Sequence, residues 1–181
     1  MNAKRKPDSA QPRVAKRQPD RAQPKVTIFS LLPAVLIALL LAASVAGAHH
    51  SFAMFDKSIE KVVTGTVVRW AFNNPHSWLY LNVKNKDGSE TLWSFEGSSP
   101  TQLLQRGING FTFEPNSTIT VQFCPLKDGR PGGGIGWVRL ANGNFISPAD
   151  GGCNGGPDAI ERWKTWLAKG YTSSTEALKA Q

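Results

Sequence analysis

From residue 59 onward, apolar positions recur with the spacing of strands rather than helices. Residues 59–72 carry Val62, Val63, Val67, Val68 and Trp70 on both parities, with Gly65 in the middle. That pattern predicts one long coiled strand, bent so that each half serves a different sheet layer. After Asn74-Pro75-His76 the alternation becomes strict: Leu79, Leu81 and Val83 point one way, and Trp78, Tyr80 and Asn82 the other. Lys86-Asp87-Gly88 has the composition of a hairpin turn, and residues 90–96 read as the returning strand, with Trp93 and Phe95 on one face.

A short helix follows, and its boundaries are marked. Ser99 is placed to cap it, Pro100 suits the first helical position, Gln102 completes a capping box, Leu103 and Leu104 form the apolar side, and Gly107 ends it. Residues 117–124 alternate again through Ile119, Val121 and Phe123. A Gly/Pro loop from Lys127 to Gly134 leads to a fifth strand at 135–140, with Ile135, Trp137, Val138 and Leu140. Three strands, a short helix and two strands, begun by a long bent strand, predict a mainly β fold. The expected architecture is a five-stranded OB-like Greek-key barrel with the helix between strands three and four. A split α+β sheet with the helix on one face is the alternative. Beyond residue 147, Gly151-Gly152 and Gly155-Gly156 make a flexible connection around Cys153. Asp158 is then placed to cap an amphipathic C-terminal helix bearing Ile160, Trp163 and Leu167, with Lys164 and Lys169 towards its end.

Upstream the pattern differs in kind. Ile28–Val45 is almost entirely apolar, follows a basic stretch and runs into Ala46-Gly47-Ala48, whose small residues suit signal peptidase after Ala46 or Ala48. Residues 1–48 are therefore expected to be a leader, with 28–48 as apolar core and exit, and the mature chain to be periplasmic or secreted in a bacterium. If uncleaved, these 18 residues are near the lower limit for a membrane anchor, and only then is the membrane a partner. KRKPDSAQPRVA followed by KRQPDRAQPKVT is a tandem repeat, rich in Pro and charge, with nothing to bury. The remainder divides into an OB-like domain at 49–147 and the Gly-rich connection with its helix at 148–181.

The leader also holds most of the excess charge. Eight of the 21 Lys and Arg precede residue 49, against Asp8 and Asp20 among the 13 acids, which leaves 13 basic and 11 acidic groups and a net charge of only +2. A nucleic-acid partner is not expected, because that needs a basic patch on the folded domain itself. Cys124 and Cys153, an even pair in an oxidising compartment, read first as a disulfide; two free thiols on a soft metal are the sharper alternative.

All three histidines are candidate metal ligands. Cleavage after Ala48 leaves His49 as residue one, whose amine and Nδ1 chelate a single ion, with His50 or His76 supplying a second imidazole suited to copper. Cleavage after Ala46 gives Gly-Ala-His, also a copper(II) chelator. Against this, early histidines lie by default in a mobile terminus, and His76 in its turn can simply bond a carbonyl. Asp56 and Glu96 are the nearest candidates for a carboxylate ligand. Trp78, Tyr80 and Trp93 make a possible ligand face for bases or sugars, or else part of the core. No nucleophile elbow, P-loop, dinucleotide fingerprint, HExxH or CxxCH occurs, so nothing in the chain asks for an enzyme.

Five segments carry a resemblance: Ala48-His49-His50-Ser51-Phe52-Ala53-Met54-Phe55-Asp56, Gly65-Thr66-Val67, Asn74-Pro75-His76, Trp93-Ser94-Phe95-Glu96-Gly97 and Pro125-Leu126-Lys127-Asp128-Gly129. Together they resemble a family of small exported bacterial proteins defined only as a domain of unknown function, family 6152 of that series. The resemblance spans about residues 48 to 145. It implies export and membership, and no activity. The sequence thus leads to a small exported binding protein that holds copper through His49. The alternative is a non-enzymatic module whose aromatic strands or C-terminal helix bind a cell-envelope protein or a small ligand.

Overall fold

The computed structural model describes residues 52–181. Its centre is a barrel of five strands: β1 (Lys61–Ala71), β2 (Ser77–Lys84), β3 (Glu90–Gly97), β4 (Thr118–Pro125) and β5 (Gly132–Arg139). The neighbour order is β3-β2-β1-β4-β5, and a parallel pairing of β3 with β5 closes the ring. This is the OB-like arrangement. A split α+β sheet would have left that seam open.

β1 makes the barrel possible by serving two neighbours. Its first half, Lys61–Thr66, pairs with β4, and its second half, Thr66–Ala71, with β2. Gly65 sits where the halves meet, and a Cβ there would stand 2.7 Å from the carbonyl oxygen of Asn82. The bend therefore requires the missing side chain. A register irregularity between Val67 and Arg69 adds to the coil. Val67, Leu79, Leu81, Phe95, Val121, Phe123 and Ile135 fill the interior, and Leu103 of α1 (Pro100–Gln105) plugs one end.

Several boundaries differ from the sequence expectation, each for a physical reason. β5 begins at Gly132, not at residue 135, so the Gly/Pro loop is three residues shorter. Cβ atoms at Gly132 and Gly133 would lie 2.0 and 2.1 Å from the carbonyl oxygens of Ser94 and Cys124. Glycine here is the condition for close strand approach at the closing seam, not a sign of a loop. Ser99 occupies the cap position of α1 without a side-chain cap bond; Gln102 is engaged by Ser98 instead. Gly107, with φ +73°, ends the helix as expected.

Two further elements had no clear hydropathy pattern. β6 (Phe145–Ile146) pairs with the end of β5, and α3 (Ser174–Lys179) closes the chain, capped by Ser173 accepting from the Thr175 amide. Between them, α2 (Pro157–Ala168) is capped by Gly156, with Pro157 rather than Asp158 at its first turn's start. Its Trp163 and Trp166 pack with Trp137, Val62 and Phe145. The Trp163 indole donates to Glu60 at 2.5 Å, and Arg162 holds the same carboxylate at 2.9 Å. The apolar side of α2 is therefore turned onto the barrel wall, not outward.

Candidate metal centre

At the end of the barrel where β1 passes to β2, the turn through Asn74-Pro75 delivers His76 beside the last residues of β3. Strand alternation explains the meeting. Phe95 points into the barrel, so Glu96 points out, directly opposite Trp78 in the β2–β3 register. Glu96 would be exposed there, yet it is only 5% accessible, because the segment 147–150 folds over it. That segment contributes Asp150, and ligand atoms from His76, Glu96 and Asp150 all lie within 4.8 Å of one another.

The geometry within this trio is unusual for an ordinary ion pair. His76 Nδ1 stands 2.7 Å from Asp150 Oδ2 and 3.1 Å from Glu96 Oε1. Neither contact is aligned as a hydrogen bond, and the nitrogen is buried without a partner of that kind. Two carboxylate oxygens thus lie close to one nitrogen but off its hydrogen-bonding axis. Burial raises the Glu96 pKa above the usual carboxylate range; nearby Asp150 adds to the rise, and His76 opposes it. One buried acid, a second partly buried acid and an imidazole make a site that a cation would relieve.

The covering segment is firmly held. The Ser98 amide donates to the Pro148 carbonyl at 2.8 Å, and Arg106 Nη1 donates to the Ala149 carbonyl at 2.7 Å. The fully buried Ser98 hydroxyl lies 2.6 Å from Gln102 Oε1 and 3.1 Å from Asp150 Oδ1. It has one proton; turning the Gln102 amide over lets its NH2 donate to Ser98, so that this proton serves Asp150. Three residues further on, Cys153 is bonded to Cys124 of β4, with Cα atoms 5.2 Å apart. This disulfide packs with Phe55, Phe52 and Leu126.

The sequence candidates are therefore distributed as follows. His76 and Glu96 come together, and Asp150, which no motif marked, completes the set. Asp56 lies elsewhere, its carboxylate accepting from the Ser58 hydroxyl and amide. His49 and His50 lie outside the described residues, as does the apolar run at 28–45. Phe52, the first described residue, places its ring 3.9 Å from where a Cβ of Gly151 would stand, beside Asp150. Of the aromatic face, Trp78 and Tyr80 point outward and are half-buried, Tyr80 with Arg69 stacked on its ring at 4.6 Å. Trp93 points the other way, against Phe95 and Phe123. The three do not share one surface.

Comparison with curated proteins finds no match, and neither does comparison with solved structures. A protein-family model described as "Family of unknown function (DUF6152)" matches residues 37–135. The match takes in His76 and Glu96 and stops short of Asp150 and Cys153. With more than half its length covered, including four of the five barrel strands and the start of the fifth, the chain belongs to that family.

Proposed function

We propose that this chain is an exported metal-binding protein whose ion sits among His76, Glu96 and Asp150. The observation that carries the reading is the buried His76 Nδ1, crowded by two carboxylate oxygens without a hydrogen bond to either. One imidazole and two carboxylates suit borderline divalent ions of the first transition row. Added imidazoles shift the preference towards copper, and two precede Phe52 in the sequence. Those two, His49 and His50, lie outside the described residues, so titration decides their part in the site.

Isothermal titration of the full chain with copper(II) and with zinc(II) tests this. The expected result is one ion per chain, with affinity reduced on the order of 100-fold by His76→Ala and at least tenfold by Glu96→Gln. Undiminished binding of both metals in both variants would overturn the reading. Copper binding lost only in a His49→Ala/His50→Ala variant, and untouched by His76→Ala, would place the ion on the terminal segment alone.

A second reading, an interaction module of the cell envelope, has one observation in its favour. Phe111, in the loop after α1, is 90% exposed. A photo-crosslinking residue at position 111 in intact cells gives a discrete adduct with one envelope protein if this loop is the docking point, and none if it is not.

A further inference from the structure

A second concavity lies away from the metal centre, where the segment leading into β1 meets the loop joining β4 to β5. Phe55 and Leu126 pair as an isolated bridge, and the Lys127 amide donates to the Met54 carbonyl at 2.9 Å, so the two segments hold each other. Between them and β3 opens a cleft of about 300 Å³, lined among others by Asp56, Lys61, Trp93, Phe123, Lys127 and Arg130. That volume is at the small end of the range of natural ligand sites.

The floor and the rim differ in chemistry. Trp93 and Phe123 meet edge to face at 5.6 Å and supply an apolar floor. At the rim, Arg130 is already paired with Asp128 at 2.8 Å, and Asp56 is already satisfied by Ser58 at 2.6 Å. Lys61 and Lys127 have no ion-pair partner among the described residues. An apolar floor below two ammonium groups that form no ion pair among the described residues calls for one kind of occupant.

We propose that this cleft binds a small organic anion with a flat apolar body, an aromatic monocarboxylate being the simplest form. Its ring packs against the Trp93 side of the floor, and its carboxylate faces Lys61 and Lys127. Three of the segments that carried the family resemblance, those ending in Asp56, beginning at Trp93 and running from Pro125 to Gly129, meet in this cleft. The ion centre leaves the third of them unexplained.

The test follows the Trp93 indole resonance of the full chain, assigned by its loss in Trp93→Phe, in ¹H–¹⁵N spectra. Titration with 2-naphthoate is expected to move that resonance saturably, with Kd on the order of 1 mM or tighter. The uncharged 2-naphthylmethanol should bind about tenfold more weakly. Lys61→Ala/Lys127→Ala should bring 2-naphthoate down to the level of the alcohol. A Trp93 resonance that does not move overturns the proposal, as does equal affinity for acid and alcohol.

Discussion

The two ends of the barrel are built to opposite plans. At the β1–β2 end, two acidic groups crowd one imidazole, the buried Glu96 is held above the ordinary carboxylate range by desolvation, and the covering segment is pinned by a disulfide and a buried serine. At the β4–β5 end the apolar surface is the recessed part and charge stands at the rim. Asp56 there is lowered below its ordinary range, chiefly by the Ser58 hydroxyl and then the Ser58 amide. The two carboxyl groups thus shift in opposite directions, because Glu96 lost water without gaining donors while Asp56 gained donors without losing water. On the two proposals, the first end takes a cation and the second an anion.

The largest expected effect comes from cutting the staple, which links the segment over the first end to the last residues of β4 at the second. Closing a loop of 29 residues stabilises the fold by about 3.5 kcal/mol on chain entropy. Cys124→Ala/Cys153→Ala should lower Tm by roughly 10 °C or more. Because Cys153 anchors the segment bearing Asp150, metal affinity should fall as well. Thermal unfolding and zinc titration of this variant check both; unchanged metal affinity would mean that Ser98 and Arg106 alone fix Asp150.

A smaller, more local effect is expected from Ser98→Ala. It removes the hydroxyl 3.1 Å from Asp150 Oδ1 and leaves the barrel interior intact. Ion affinity should drop about tenfold. Binding of 2-naphthoate should not change, and a parallel loss there would show that the variant disturbs the whole fold.

The smallest effect is in pH dependence. Glu96 has a raised folded pKa, so its contribution to stability in the metal-free protein is fully present below the unfolded carboxylate value. It is lost as pH rises through the folded value. For Asp56 the sign is reversed: a lowered pKa gives stability present above the unfolded value and lost as pH falls through the folded one. Chelator-treated Glu96→Gln should accordingly gain stability relative to wild type on the alkaline side of the Glu96 transition, measured by urea unfolding across pH 4–8. A gain that is the same at every pH would point to packing rather than charge.

The barrel was legible in the sequence because its strands alternate cleanly and its turns use Gly, Asn and Pro. The β1 bend could be read from Gly65 amid two-faced apolar residues. The start of β5 could not, since glycines chosen for backbone approach have no hydropathy and imitate a loop. His76 and Glu96 were candidates on residue type alone. Asp150 was invisible because its role comes from contacts such as that with Ser98, 52 residues away, and no local pattern encodes such a meeting. Trp93 was grouped with Trp78 and Tyr80 by proximity, yet cross-strand register decides direction: Trp93 opposes Leu81 and shares its inward side.

The glycine seam ties the two ends into one mechanism of support. Ser94, Phe95 and Glu96 of β3 lie beside Gly132, Gly133 and Gly134 of β5, without intervening side chains. Trp93, on the floor of the cleft, and Glu96, in the candidate metal centre, stand only three residues apart on that strand, on opposite faces and about 10 Å along it. β3 is in effect a short lever gripped at its middle by bare backbone. A methyl group at Gly132 or Gly133 would pry that grip open, and both ends of the lever would come loose together.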